Sequence, residues 1–597
     1  MIGSGLFQSL SARITALKMM LLDAATAGNG AGALGFLYAT GYTGNTVGAW
    51  LKGLAASQGA SFIGWIQAMT GATARTLLAK IADAVSVLDF AGVDPTGVAD
   101  STTGLQAAIT ATRLQSGDQR ILLWRKGTYK VATGLILGSN QNIVFEQGVV
   151  INFTGDVNTS LFTASNQTCV YLYCNGAQIN GNRAGVTLSD AGNQTAFFIY
   201  GSDNVLIQDA NIANFAMDGI TLSGDTGSSG PCTNVRLVGC DVSNSGRNGL
   251  SITHANGVLI EGGRYWGSNG TPSGPWAGID IEPNTGEYAK AIVLAGVRTQ
   301  TNAGAGLQFT PGAMSASAGL VYDVTVLGGR STGDSAANGK PALYFANGGT
   351  MANEVYGQVV VRDFVVESPL STGVGFQNWD ATNAPRAILE NVKVINPNAG
   401  SGSTGVPNQS GFVIYCSSAQ AVTAMGKITM RNCKAQDNRG TAVMQIGCYI
   451  GADTGKTVQD VLIQDFTSIN YLSASKYPVK TDLSVAGSFV DVVVTYANPK
   501  PVSSSASITD AGWGGQCVNL TTASTSFQLP LATRCKGLTY IVQCDQGVVG
   551  NCSVVITGTD FAKANGVAKA ASITLQPGDK VMCRSLGGSL WNVSPCA

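Results

Sequence analysis

Gly278-Ile279-Asp280-Ile281 is one member of a series, and the series decides the fold. Gly219-Ile220-Thr221-Leu222, Gly249-Leu250-Ser251-Ile252 and Gly306-Leu307-Gln308-Phe309 carry the same pattern of a small residue followed by apolar and polar positions in alternation. These members begin at 219, 249, 278 and 306, so their spacings are 30, 29 and 28 residues. The series continues at Ala342, Gly373 and Gly411 with spacings of 36, 31 and 38, as the connecting loops lengthen, and at Ala442-Val-Met-Gln445. About 15 to 20 residues ahead of each member runs another short apolar segment: Asn204–Gln208, Asn234–Val238, Gly257–Glu261 and Ala291–Leu294, then Asp323–Val326, Gly357–Val361, Ala387–Glu390, Gly426–Met430 and Asp460–Gln464.

A repeat of this length, with two or three short strands and no helical stripe, cannot bury its own apolar face, so it must stack on its neighbours. The expected architecture is all-β, a parallel β-solenoid whose coils lie about 4.8 Å apart around a continuous Val, Ile, Leu and Phe core. A propeller repeats at similar length but needs four antiparallel strands in each blade and even spacing.

Composition agrees with stacked turns. Of 597 residues, 77 are glycine and only 12% are charged, while 45% are hydrophobic, which excludes disorder. The 35 basic and 35 acidic residues cancel, so neither nucleic acid nor an anionic membrane surface is an expected partner. The early apolar run Ala16–Leu22 is broken by Lys18 and is far shorter than the about 20 residues of a membrane span. The start Met1–Leu10 has no basic segment ahead of an apolar block, so no signal peptide is read there. Thirteen cysteines with one histidine and no paired C-x-x-C spacing argue against structural zinc. No metal and no cofactor are expected, and Gly30-x-Gly32-x-x-Gly35 lacks the preceding strand that a dinucleotide site requires. The six cysteines after residue 516 can pair only if the protein matures outside a cell.

The chain divides into four stretches. Residues 1–84 are rich in Gly and Ala, with a helix expected over 74–82. Residues 85–135 hold an expected strand Val85–Phe90 and a short helix capped by Asp100 or Ser101 with the stripe Leu105, Ala108, Ile109 and Thr112. Strands Ile121–Trp124 and Thr128–Val131 follow. Residues 136–497 are the solenoid. After a linker at Asn498–Pro501, residues 498–597 show a different alternating pattern that reads as a small β-sandwich.

The entry stretch resembles the pectate-lyase-like domain of bacteriophage tailspikes. That family opens on a V-S-V-x-D-F strand, a glycine turn, an acid-capped helix and a P-x-G-x-Y strand; the matching positions are Val85–Phe90, Gly97–Asp100, Leu105–Ile109 and Lys126–Tyr129. Pro95 and Thr96 replace the usual Asp-Gly turn, Ser101 replaces a second Asp, and Arg125 stands where Pro is common. Gly64–Gln67 and Thr73–Thr76 also resemble the neck that joins such tailspikes to the virion. The resemblance implies a right-handed parallel β-helix with a short capping helix, assembled as a homotrimer. It further implies a virion-tail location, attachment to the phage tail through the N-terminal region, and binding and often cleavage of a bacterial surface polysaccharide outside the host cell.

The solenoid offers a site for such chemistry. Aligning the series in register places Thr221, Ser251, Asp280 and Gln308 in one outward ladder and Ser223, Thr253, Glu282 and Thr310 in the next, because i and i+2 share a strand face. Glycoside hydrolysis needs one acid to protonate the leaving oxygen and a second carboxylate as base or nucleophile. Asp280 and Glu282, about 6.5 to 7 Å apart at Cα, fill those roles jointly, with Asp218 as a reserve carboxylate. Trp276, Tyr265 and Trp266 offer sugar-stacking faces, and Arg247, His254 and Gln308 offer polar contacts. Two other readings stand beside this one. A lyase acting on a uronate would use His254 or Tyr265 as base with Arg247 neutralising the substrate, and a non-catalytic fibre would use the groove for adhesion alone.

Overall fold

The computed structural model describes residues 64–65, 75–76 and 84–595, the last stretch with short internal breaks of which 401–408 and 530–538 are the longest. The chain forms two units, Met1–Val85 and Ser86–Ala597. In the first, Gly64–Trp65 pairs antiparallel with Arg75–Thr76. That corrects the helix expected over 74–82 at Arg75–Thr76, where the β-branched threonine finds a partner strand; the rest of that span lies outside the described residues.

The second unit is a parallel β-helix. Among the described residues it is built from three parallel sheets of 12, 13 and 14 strands, and each strand between the two ends of a sheet pairs with the equivalent strand of the coil before and the coil after. One coil consists of Asp203–Gln208, Asn211–Ala213 and Ile220–Ser223; the next of Cys232–Val238, Asp241–Ser243 and Leu250–Ile252. Both strand series read in the sequence are present. The third, in the 13-stranded sheet, is mostly three residues per strand, too short for alternation to reveal.

Five strands of the 12-stranded sheet carry the site: β1 (Ile220–Ser223), β2 (Leu250–Ile252), β3 (Ile279–Ile281), β4 (Leu307–Phe309) and β5 (Leu343–Ala346). Their register is the expected one, Thr221 on Ser251, Ser251 on Asp280 and Asp280 on Gln308, and Tyr344 follows. Inward residues stack in the same way: Phe345 lies 4.9 Å from Phe309 and 4.6 Å from Phe376 between ring centres. Each buried phenylalanine contributes about 2 to 3 kcal/mol.

The small residue that opens each strand has a steric cause. A Cβ on Gly249 would lie 2.6 Å from the Gly278 carbonyl oxygen and 3.1 Å from Tyr265 Cβ. At the turns, asparagines adopt positive φ, as at Asn214 and Asn244, and stack by side-chain bonding: Asn432 Nδ2 donates to Asn391 Oδ1 at 2.6 Å, and Asn391 Nδ2 to Asp363 Oδ1 at 2.8 Å. Asn tolerates this conformation better than other side chains.

The capping helix α1 (Thr102–Ala111) buries Leu105, Ala108 and Ile109 as expected, with Thr112 behind them. Asp100 Oδ1 accepts from the Thr102 N–H at 3.1 Å and the Thr102 hydroxyl at 2.6 Å. Two expected strands are corrected. The strand at Val85–Phe90 ends at Ser86, because Ser86 and Asp89 form a reciprocal capping box that starts a 3-10 turn over Val87–Asp89. The strand expected at Ala442–Gln445 instead forms at Ile446–Ala452, because buried Asp437 holds the N–H groups of Val443 and Met444 at 2.7 and 2.8 Å, away from the sheet.

Toward the C-terminus a seven-stranded and a four-stranded sheet replace the coils. Phe527 of the smaller sheet meets Tyr540 of the larger at 5.7 Å. Gly249→Val should lower the stability of the helix by about 2 kcal/mol through overpacking, measurable as a fall in the denaturant midpoint followed by circular dichroism.

Candidate active site

Asp280 points outward from the middle of β3, yet it is only 4% exposed. The expected open ledge is therefore a covered floor: Thr221, Ser251, Gln308 and Tyr344 on the same ladder are buried too. Arg247 and Lys340 flank the carboxyl closely enough to pull its pKa down. Burial and the charge of the neighbouring Glu282 outweigh them and push the Asp280 pKa well above the usual carboxylate range. Glu282, two residues on, is half-buried. Asp280 Oδ2 accepts from Asn248 Nδ2 at 3.3 Å, and its Oδ1 meets no N–H donor among the described residues.

Asp218 behaves in the opposite way. It is fully buried at the turn into β1, where burial alone would raise its pKa, but the Arg247 guanidinium holds it below the usual value. Arg247 grips it with both nitrogens, Nε to Oδ1 at 2.9 Å and Nη2 to Oδ2 at 2.6 Å. Thr221 and the Asn248 N–H donate to Asp218 as well, each at 3.1 Å. Asp218 is thus corrected from reserve acid to anchor: every lone pair that could accept a proton is engaged, and the anchored Arg247 faces Asp280 and Glu282, whose charges raise its own pKa further.

The remaining expected residues divide. Gln308 lies directly on Asp280, one coil on. Trp276 is half-buried in the loop leading into β3, where its indole N–H donates to the Thr271 carbonyl at 2.9 Å. Tyr265 is corrected: it is an inward residue of a three-residue strand and fully buried in the core, so it presents no face to a sugar. Trp266, next to it, points outward from the 13-stranded sheet, a different wall from Asp280, and is held by Asp241 at 2.7 Å and covered by Arg264 at 4.6 Å. His254 is 2% exposed and packs edge-on against Tyr288 at 4.7 Å between ring centres. Burial lowers its pKa, with Glu287 and Asp225 opposing; it belongs to that cluster rather than to the acid pair.

Asn248, a turn residue on the sequence pattern, and two residues that the pattern does not mark complete the site. Asn248 links both acid systems, donating to Ser251 and Asp280 through Nδ2 and to Asp218 through its backbone, while its Oδ1 receives the Ala277 N–H at 2.9 Å. Its position, one residue before Gly249 as Asp218 stands before Gly219, was the available signal. Tyr322 donates from inside the core to the Ile281 carbonyl at 2.8 Å, fixing the strand between the two acids. Lys340 reaches Gln308 Oε1 at 3.4 Å from a loop of irregular length, which hid it.

Comparison with known proteins gives a fold and little else. No family model and no curated protein matches the chain. Among solved structures, a mutant tailspike protein of E. coli bacteriophage HK620 in complex with a hexasaccharide superposes with a TM-score of 0.55 at 13% identity, covering 86% of this chain and 82% of that one. A second mutant of the same tailspike, with a pentasaccharide, gives 0.51 at 13% over 86% and 85%. In fold, the chain resembles a phage tailspike. The resemblance read from the entry motif thus holds at the level of architecture. The mannuronan C-5 epimerase AlgE6 A-module of Azotobacter vinelandii also matches, with a TM-score of 0.47 at 16% identity over 70% of this chain and all of that one.

The raised Asp280 pKa has a consequence for stability. An Asp whose folded pKa exceeds its unfolded value adds stability that is fully present below the unfolded pKa and is lost as pH rises through the folded one. Asp280→Asn should therefore melt above the parent protein at pH 8, with the difference vanishing near pH 4; a parent that stays the more stable at pH 8 would contradict the raised pKa.

Proposed function

We propose that this protein is a phage tailspike that recognises and depolymerises a bacterial surface polysaccharide, whether capsule, exopolysaccharide or O-antigen, by endo-glycosidic hydrolysis. The observation that carries this reading is the buried Asp280, whose pKa burial and the Glu282 charge both push up, on the floor of an in-register polar ladder. A carboxyl kept protonated is what a general acid requires, and a second carboxyl beside it supplies the nucleophile or base. Asp280 would protonate the glycosidic oxygen, and Glu282 would act at the anomeric carbon or on the attacking water. Arg247, oriented by Asp218, and Gln308 would hold sugar hydroxyls, and Trp276 would line the approach.

The oligosaccharides in the two HK620 tailspike complexes lend support to a glycan as ligand, as an analogy of fold. A homotrimer agrees with the outward face of the 14-stranded sheet, where Leu206, Leu259, Val293 and Ile388 are only half-buried on one side of the coil. Residues 1–84 would attach it to the phage tail, and residues 498–597, read as a sandwich, would serve trimerisation or further glycan contact. A lyase acting on a uronate is the second reading. Lys340 beside the acids favours it, whereas the His254 and Tyr265 bases imagined for it lie elsewhere.

Incubation with capsule and lipopolysaccharide of the host should release new reducing ends with no ultraviolet-absorbing unsaturated sugar. Unsaturated ends would replace hydrolysis by elimination. Asp280→Asn and Glu282→Gln should each lower kcat by about 10²-fold or more while glycan binding stays within a few-fold; near-parent turnover in both would remove the pair from the mechanism.

A further inference from the structure

Lys340 is the charged group beside the ladder that hydrolysis does not employ. Its ammonium lies 3.4 Å from Gln308 Oε1 and 5.7 Å from the centre of the Tyr344 ring, and Gln308 and Tyr344 are the next two rungs of the ladder above Asp280. Arg247, the other cation, has its charge paired by Asp218 through two bonds. Lys340 makes no ion pair among the described residues, although burial disfavours its charge. A largely desolvated ammonium is retained where something pairs with it. Here the near partners are one amide oxygen and one aromatic face, the second within the about 6 Å reach of a cation–π contact. Neither carries a charge, and the Asp280 and Glu282 carboxyls, which favour the ammonium's charge, do not reach ion-pair distance of it among the described residues.

The position gives that charge a meaning. Gln308 is one coil from Asp280, about 4.8 Å along the solenoid axis, which is comparable with the length of one sugar ring. We propose that Lys340, with Gln308 and Tyr344, forms a subsite for an anionic substituent, a carboxylate or a phosphate, on the sugar next to the bond held by Asp280 and Glu282. The inference rests on the glycan reading above and narrows it to acidic polysaccharides. Tyr344 supplies a face for the ring of that sugar, Gln308 a hydrogen bond to it, and Lys340 the counter-ion.

The test is a binding panel of purified bacterial capsular polysaccharides and O-antigens, neutral and acidic, against the full chain. Each bound glycan is assayed again after carbodiimide–borohydride reduction of its carboxyl groups and after hydrofluoric acid removal of its phosphates. The expected result is that the bound glycans are anionic and that one of the two treatments, identifying the anion, weakens binding by about tenfold or more. Lys340→Gln should weaken the untreated glycan to a similar degree and leave the treated one unaffected, and Lys340→Arg should restore binding. Tight binding of a neutral polysaccharide overturns the proposal. So does a Lys340→Gln loss that is equal for treated and untreated glycan, which would mark the lysine as a tuner of the acid pair. Binding without cleavage removes hydrolysis and leaves the subsite standing; no binding to any glycan overturns the glycan reading and this inference with it.

Discussion

In-register parallel pairing of successive coils is the constraint on which everything else in the second unit depends. Each backbone hydrogen-bonds to its equivalent one coil away, so each side chain stands about 4.8 Å from the side chain at the same place in the next repeat. A position that faces inward must then be apolar, or have its polar group satisfied within the core, as Thr299 and Ser331 do by bonding Asp334. Phe309, Phe345 and Phe376 satisfy this by stacking rings, and turn asparagines satisfy it by bonding amide to amide. On the ladder Thr221, Ser251, Asp280, Gln308 and Tyr344 the single acid has neutral neighbours on both sides.

Within that frame, three buried aspartates show how environment sets chemistry. Asp218 is held below the usual pKa by Arg247, once burial has been outweighed. Asp334 is pushed up to about 6 by burial, against hydrogen bonds from Ser331, Asn302 and Thr299 that satisfy it. Asp280 combines burial with a second carboxyl alongside, which outweigh the charges of Lys340 and Arg247, and the Asn248 amide gives it only a long contact. Burial alone is thus common to all three and distinguishes none. What separates Asp280 is the incomplete satisfaction of its oxygens together with a like charge at hand, the arrangement that drives two neighbouring carboxyls toward different protonation states. Asn248 joins Asp218 to Asp280, so the orientation of Arg247 and that of Asp280 are mechanically linked.

Much of this was legible from residues alone. The spacing of the small-residue strands determined a stacked parallel solenoid, since a short repeat with no helix has no other way to bury its apolar face. Period-two alternation put Thr221, Ser251, Asp280 and Gln308 on one face in the register found, and the i+3, i+4 stripe placed α1. Only the tertiary structure decided what lies over that face. Whether an outward acid is solvated or covered depends on loops and long side chains from other coils, which is why Asp280 proved buried, Asp218 proved bound to Arg247, and Lys340 came unannounced from an irregular loop. Tyr265 and Trp266, adjacent in sequence, point to opposite sides of a three-residue strand, one into the core and one onto another wall. Local pattern fixes which residues share a face because backbone geometry is periodic; the environment of each face is set by contacts between residues far apart in the chain, and those contacts determine charge.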